Sequence, residues 1–191
     1  MISLTHIKTR TAQKEDIESV LALQSLYLYD NLSEEERQEG FVTTPFTTEQ
    51  LEQIIEREGL FIATDKEQIV AYAFAGGWDY FSQWPIFPYM TSRFPSLHFK
   101  DFDISTENSF QYGPVCIDIP YRGSGLLNNL FEYMRRQMVV KYPLSVTFIN
   151  QVNKRSLNAH VNKLGWTVID EFDFNGKQYY GLAFDMQESV L

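Results

Sequence analysis

Residues 112–131 read YGPVCIDIPYRGSGLLNNLF, and this stretch decides the fold. The apolar residues 115–117 predict a short strand, and the run that begins after Gly125 has the spacing of a helix. Gly123 and Gly125 lie between the two elements. The stretch therefore predicts a strand, a glycine turn and a helix in direct succession.

The glycine turn is a candidate anion site. Glycines at the start of a helix let the backbone approach a ligand closely. The first N–H groups of a helix have no partner within it, and the helix dipole adds partial positive charge there. Such a turn suits a phosphate or pyrophosphate, although a tight turn from strand to helix would explain the same glycines.

Residues 122–127, RGSGLL, resemble the acyl-CoA-binding turn of the GNAT superfamily of N-acetyltransferases, Q/R-x-x-G-x-G/A. Leu127 departs from that motif, since the family has Gly or Ala there. Residues 153–166, NKRSLNAHVNKLGW, are similar to a second family segment, N-x-x-S/A-x-x-x-Y/H followed by LG-F/W. Here the spacing from His160 to Gly165 is one residue longer than usual.

The order of predicted elements agrees with this resemblance over nearly the whole chain. The predicted elements are a strand at 6–12, helices from 17, 33 and 47, a hairpin at 60–64 and 69–75, the strand and helix of 112–131, a strand at 144–149, a helix at 153–164 and a hairpin around Asn175-Gly176. The resemblance implies an α/β, GNAT-type fold: a mixed, mostly antiparallel sheet with a central splayed parallel strand pair and helices on both faces.

Composition narrows the class of protein. The chain has 191 residues, of which 44% are hydrophobic, and this predicts a single domain spanning 1–191. Sixteen basic and 25 acidic residues give a formal net charge of −9, which argues against nucleic acid as a partner. The three histidines have no metal-type spacing, so we predict no metal site.

Two further features of the sequence predict the cellular compartment. Cys116 is the single cysteine, which excludes an internal disulfide framework and fits a reducing environment. The sequence has no secretory segment and no run of about 18 apolar residues. We therefore expect a cytoplasmic protein without a membrane partner.

The resemblance also implies a cofactor site. Acetyl-CoA would be the co-substrate, its pantetheine arm would lie between the splayed strands, and a backbone N–H near Ile117 would meet the thioester carbonyl. A helix N-cap is an equally good explanation of Asn153. The implied cofactor-binding residues are Val115, Cys116, Ile117, Arg122, Gly123, Ser124, Gly125, Leu126, Leu127 and Asn153.

Three residues are candidates for proton transfer. His160 matches the family position of a general acid, but its helical spacing with Leu157 and Leu164 equally predicts a packing role. Asp118 and Glu107 lie next to the central strand in sequence and are candidate bases. Water or the ionisation of the substrate itself would replace either carboxylate.

Three functions remain open at this point. The resemblance favours an acetyl-CoA-dependent N-acetyltransferase in which the primary amine of a small molecule or peptide attacks the thioester directly. Leu127 and the lack of an evident base favour a non-catalytic acyl-CoA-binding sensor module instead. Cys116, His160 and Asp118 supply the residue types of a cysteine hydrolase, although a thiol in a buried strand is usually inert.

The acceptor amine is not determined by these patterns. The insert at 78–99 is rich in aromatic residues and predicts either a cover for one end of the sheet or a wall of the acceptor site. Its aromatic content favours an apolar or aromatic amine, whereas the acidic balance favours a polyamine or aminoglycoside-like cation. The exposed edge of the final hairpin would allow a homodimer.

Overall fold

The computed structural model describes residues 4–191, in which nine strands and seven α-helices follow one another. The strands are β1 (Ile7–Thr11), β2 (Leu60–Asp65), β3 (Gln68–Gly76), β4 (His98–Phe99), β5 (Phe102–Asp103), β6 (Ser109–Ile117), β7 (Leu144–Asn150), β8 (Thr167–Phe174) and β9 (Lys177–Asp185). The helices are α1 (Ile17–Tyr27), α2 (Glu34–Arg37), α3 (Thr48–Glu56), α4 (Trp78–Phe81), α5 (Ile86–Arg93), α6 (Leu126–Met138) and α7 (Lys154–Asn158).

Seven of these strands form one sheet in the order β1-β2-β3-β6-β7-β9-β8. Every neighbouring pair is antiparallel except β6 and β7, which are parallel. The connection between those two strands is α6, as expected for a parallel crossover. The expected mixed, mostly antiparallel sheet with a central parallel pair is confirmed.

Helices cover both faces of the sheet, and β3 shows how the sequence specifies them. Tyr72 and Phe74 pack into the core beneath α1, α3 and α5, whereas Ala71, Ala73 and Ala75 lie in the core beneath α6. This alternation is the two-residue period of a strand. The alanines leave room for α6 to lie close to the sheet.

The two central strands separate after a short paired segment. Their parallel register runs only from the pair Ser109 and Leu144 to the pair Gln111 and Val146. Beyond it, Gly113 and Pro114 stand together opposite a single residue of β3, which is a bulge. Bulges bend a strand, and proline has no N–H to donate to a neighbour. The predicted splay is confirmed, and β6 begins six residues earlier than predicted.

The helix after β7 differs from the prediction in its geometry. It spans the expected residues, but α7 continues as a π-helix at Ala159–Leu164. Gly165 ends it with a φ of 80°, and the Trp166 N–H donates to the His160 carbonyl at 3.0 Å. The wider turn of a π-helix takes up the extra residue between His160 and Gly165.

The aromatic insert forms α4 and α5 and packs mainly into the core. Trp78, Phe81 and Phe94 are buried there, and the Trp78 indole N–H donates to the Ser109 carbonyl at 3.0 Å. Phe87 of α5 also reaches the gap between β6 and β7. The insert therefore covers the sheet and contributes one wall residue to the gap.

The Asn175-Gly176 turn joins β8 and β9, and this predicted hairpin is confirmed. β8 lies at the edge of the sheet, so the homodimer predicted through that edge stays a prediction. Within residues 4–191 we find no helix that combines the length and the apolar character needed to cross a membrane.

A buried carboxylate anchors α6, which carries the glycine turn. Glu132 is 2% exposed, and both of its carboxylate oxygens accept hydrogen bonds from Arg135, at 2.8 and 2.7 Å. Arg136 and the Val190 N–H also donate to it. Above all because of the bonds from Arg135, the pKa of Glu132 falls from 4.5 to about 2.

We predict that Glu132→Gln lowers the free energy of unfolding at pH 7 by about 3 kcal/mol. Because the pKa of Glu132 is lower in the folded state, its contribution is present above pH 4.5 and is lost towards pH 2. The difference between variant and wild type should therefore shrink over that range in urea denaturation. Glu18→Gln, at an exposed position of α1, is the control and should match wild type. Equal stability of Glu132→Gln and wild type at pH 7 would contradict the prediction.

Candidate active site

The separation of β6 from β7 opens a cleft of about 610 Å³ that runs to the start of α6. Eight of the ten predicted cofactor-binding residues line it: Val115, Cys116, Ile117, Arg122, Gly123, Gly125, Leu127 and Asn153. The side chains of the other two predicted residues point elsewhere. Ser124 donates its hydroxyl to the Tyr121 carbonyl at 2.5 Å, and Leu126, the first residue of α6, is fully buried in the core.

The edge of β6 presents backbone groups to this cleft. Cys116 pairs with Tyr72 of β3, and the Asp118 N–H donates to the Val70 carbonyl at 2.9 Å. Backbone groups of an antiparallel strand alternate between its two sides, so those of Val115 and Ile117 turn away from β3. The register with β7 has ended before them, and they therefore face the gap.

The start of α6 supplies hydrogen-bond donors at the other end of the cleft. Gly125 is its N-cap, with a φ of 92° that favours glycine. The first bond of the helix runs from the Asn129 N–H to the Gly125 carbonyl at 3.2 Å. The N–H groups of residues 126–128 precede that bond, so they have no acceptor within the helix. Leu127 lines the cleft beside them and narrows it at this point.

The side chains that line the cleft carry a net positive charge, although the chain as a whole is acidic. Among the described residues that line it, the charged side chains are those of Arg122, Arg155, Lys163 and Glu39. Three cations and one anion therefore face the cleft of a protein whose formal net charge is −9. This local excess favours an anionic ligand.

Residues 39–42, which we call the strap, lie across the cleft. Arg122 donates to the Glu39 carbonyl, and the Glu39 carboxylate forms an ion pair with Arg155. The Asn153 Nδ2 donates to the Phe41 carbonyl at 3.2 Å, and its Oδ1 accepts from the Ser156 N–H at 3.2 Å. Asn153 is thus a helix N-cap and a strap contact, and both ends of its amide have partners.

His160 is buried in a way that does not fit the predicted general acid. It is 2% exposed, and its Nδ1 lies 2.8 Å from the Ser156 carbonyl, which can only accept. Nδ1 therefore carries the proton, and Nε2 is left as an acceptor with no partner among residues 4–191. Desolvation lowers the pKa of His160 from 6.5 to about 4. At neutral pH the ring has no proton to offer at Nε2.

The two predicted bases do not line the cleft. The Asp118 carboxylate accepts the Tyr27 hydroxyl at 2.5 Å, and that hydroxyl accepts the Ile119 N–H at 3.0 Å. Asp118 thus positions Tyr27, which does line the cleft. Glu107 is exposed in the turn before β6, at the opposite end of this nine-residue strand from the glycine turn. Their roles as general bases therefore stay predictions, which the geometry of the cleft does not support.

The cysteine hydrolase alternative also fails on geometry and protonation. Cys116 is 4% exposed, and burial raises its pKa to about 12, so it is a thiol at neutral pH. The Asp118 carboxylate accepts the Tyr27 hydroxyl, whereas the His160 ring bonds to the Ser156 carbonyl. The three residues do not form a nucleophile, base and orienting acid.

Sequence reasoning missed a narrow pocket of about 80 Å³ at the inner end of the cleft. The pocket shares Val115 and His160 with the cleft and is also lined by Phe87 and Gln111. Gln111 is a buried polar residue in a strand, at 2% exposure. A buried polar residue in a strand is a signal of a functional site, but β6 had been predicted to begin only at Val115.

Comparisons with known proteins show the fold. No protein-family model and no curated protein sequence matches the chain. The yncA protein of Salmonella typhimurium, solved with acetyl-CoA as its cofactor, is 14% identical with a TM-score of 0.64, and 98% of each chain is covered. An N-acetyltransferase from Staphylococcus aureus Mu50 is 16% identical with a TM-score of 0.61, covering 95% of this chain and 99% of that one. An agmatine N-acetyltransferase is 16% identical with a TM-score of 0.64, covering 94% and 99%. This chain therefore has the fold of these N-acetyltransferase structures.

We predict that the His160 ring titrates with a midpoint near pH 4, and not near its ordinary pKa of 6.5. Because the folded-state pKa is the lower one, His160 should stabilise the fold above pH 6.5, and this contribution should be lost as pH falls towards 4. Imidazole proton shifts, assigned by the signal that His160→Gln removes, measure the midpoint. A midpoint at or above 6.5 would show that the ring is not desolvated.

Proposed function

We propose that the protein is an acetyl-CoA-dependent N-acetyltransferase in which a primary amine attacks the thioester directly. One observation carries this proposal: the backbone groups of Val115 and the Ile117 N–H at the strand edge, together with the helix N–H groups at residues 126–128, lie along a single cleft. The fold supports it, because one structure with this fold was solved with acetyl-CoA and others are named as N-acetyltransferases.

The start of α6 would hold the pyrophosphate. Its N–H groups point at the ligand, and the helix dipole favours negative charge there. Lys163 lies near this helix end, because the Asn128 Nδ2 donates to its carbonyl at 3.2 Å, and Arg155 also lines the cleft. Arg122 would act mainly through the strap, since its Nε donates to the Ile117 carbonyl at 2.7 Å and its Nη1 to Glu39.

The pantetheine arm would lie along β6 and carry the thioester to the narrow pocket. Ile117 lines only the cleft, whereas Val115 lines both the cleft and the narrow pocket. We therefore assign the Val115 N–H as the donor to the thioester oxygen, two residues earlier in the strand than the sequence resemblance implies. A fixed donor at that oxygen would stabilise the charge that develops during attack.

Proton transfer would rest on the amine and on solvent. No carboxylate lines the narrow pocket within the described chain, and His160 is already neutral at pH 7. The reactive species is then the unprotonated fraction of the amine, formed by its own ionisation.

A non-catalytic acyl-CoA-binding module is the second candidate. It is favoured by the same lack of a carboxylate along the described walls of the narrow pocket and by Leu127 in the glycine turn. Binding of acetyl-CoA without transfer to any member of a broad panel of primary amines would support it over the enzyme.

We predict that acetyl-CoA binds at micromolar concentration and that Gly125→Glu weakens binding at least about tenfold, which is ~1.4 kcal/mol. The glutamate would place bulk and negative charge at the N-cap of α6. Gly125→Ala is the matched control, because it shares the cost of a positive φ without the charge. Calorimetric titration with acetyl-CoA, and with ATP as a competitor, measures the acetyl-CoA affinity of the wild type and of both variants. Failure of the folded wild-type protein to bind acetyl-CoA would refute the proposal.

We further predict that the rate of acetyl transfer at subsaturating amine rises with pH from 6 towards the pKa of the amine. The amine loses its proton over that range, while His160 stays neutral throughout it. Release of free thiol from acetyl-CoA measures the rate. A plateau near pH 6.5 would instead reveal a protein base that titrates there.

A further inference from the structure

Phe41 stands where three cavities meet. It lines the cofactor cleft, the narrow pocket and a third cavity of about 510 Å³, which we call the outer cavity. Of the described residues, it alone is shared by all three. The outer cavity and the narrow pocket also share Thr43 and Asn150. This contact gives a second route to the thioester end, separate from the route along α6.

Aromatic rings line part of this second route, whose outer cavity is otherwise mostly polar. Phe41, Phe87 and Phe148 line the narrow pocket, and Tyr29 lines the outer cavity with its ring edge-on to Phe41 at 4.9 Å. Rings of this kind bury apolar area and also attract an aromatic partner. They suit the apolar body of a ligand.

Charge is nearly absent from the route. No Asp, Glu, Lys or Arg side chain is found among the described residues of the narrow pocket, and His160 there is neutral at pH 7. The outer cavity has one of each sign, Asp173 and Lys177. The 25 acidic residues of the chain are therefore placed almost entirely elsewhere. A polyamine would leave several ammonium groups without counter-charge here, which is costly in a desolvated site.

Gln111 provides one of the unpaired buried acceptors among the described residues that line the narrow pocket, another being His160 Nε2. Its Nε2 donates to the Tyr112 carbonyl at 2.6 Å. A carbonyl cannot donate, so this bond fixes the orientation of the amide and leaves Oε1 as the free end. Oε1 is buried and has no partner in the part of the chain that the structure describes. An unpaired buried acceptor is unfavourable until a donor fills the pocket.

We propose that the acceptor is a primary amine with a single amino group on an aromatic or apolar body, and that it donates an N–H to Gln111 Oε1. This inference rests on the N-acetyltransferase function proposed above. The body occupies the outer cavity against Phe41 and Tyr29, and the amino group enters the narrow pocket on a short arm. Gln111 is then a positioning residue for the nucleophile, and the walls select against polycations.

The test measures amine binding to protein saturated with free CoA, which cannot react. Calorimetric titration compares 2-phenylethylamine with spermidine in wild type, Gln111→Leu and Gln111→Glu. Leucine keeps the approximate volume and removes the acceptor, whereas glutamate adds a negative charge at the same place. Steady-state kinetics on the same amines separates KM from kcat.

We expect 2-phenylethylamine to bind wild type at least about tenfold more tightly than spermidine, which is ~1.4 kcal/mol. Gln111→Leu should lose at least about tenfold in amine affinity, with a matching rise in KM, while CoA affinity changes less than about twofold. Gln111→Glu should reduce the difference in affinity between the two amines. Spermidine binding as well as phenylethylamine, or an unchanged amine affinity in Gln111→Leu, would overturn the inference.

The two proposals fail in different ways. If the folded protein binds no CoA, the proposed function fails and this inference fails with it. If CoA binds but neither amine binds the CoA-saturated protein, the inference about the acceptor fails alone. A Gln111→Leu variant that binds CoA normally is folded. Its change in amine affinity then reports on the lost acceptor and not on misfolding.

Discussion

The cleft exists because β6 stops pairing with β7 after three residues. Gly113 and Pro114 form a bulge opposite Phe74, and the bend carries Val115 and Ile117 away from their parallel neighbour. Strand-edge N–H and C=O groups in a protein interior require partners, and the sheet supplies none on this side. A ligand with amide groups along an extended arm can satisfy them. The local break in the ladder is therefore the constraint on which the proposed chemistry depends.

Two further features make the cleft selective for an anion at one end and an apolar arm at the other. The free N–H groups of α6 lie at the outer end, and the cations Arg155 and Lys163 line the same cleft. The inner end has aromatic walls and neutral acceptors. The strap ties these regions together, because Arg122 and Arg155 bind Glu39 while Phe41 faces all three cavities. Cofactor and acceptor sites thus share one short segment.

The sequence was sufficient to predict the elements of the main sheet, and most of the predicted cofactor-binding residues line the cleft. It was not sufficient to predict the chemistry inside the cleft. The helix start at residue 47, the Asn175-Gly176 hairpin and the glycine turn before α6 depend on local rules, and each is found as predicted. Asp118 and Glu107 were chosen by proximity in sequence, which does not tell which way a carboxylate points across a sheet. The protonation of His160 depends on burial and on the Ser156 carbonyl, and neither is visible in a linear motif. Gln111 was missed because the strand was predicted to begin only at Val115, whereas β6 begins at Ser109.

The most direct measurement is the change in backbone amide chemical shifts when acetyl-CoA is titrated into the 15N-labelled protein. The account predicts the largest changes at Val115 and Ile117 on the edge of β6 and at residues 126–128 at the start of α6. Residues at the far end of β6, such as Glu107, should not change. Saturable changes confined to any other surface, or none at all in the folded protein, would contradict the claim that the gap between β6 and β7 holds the thioester.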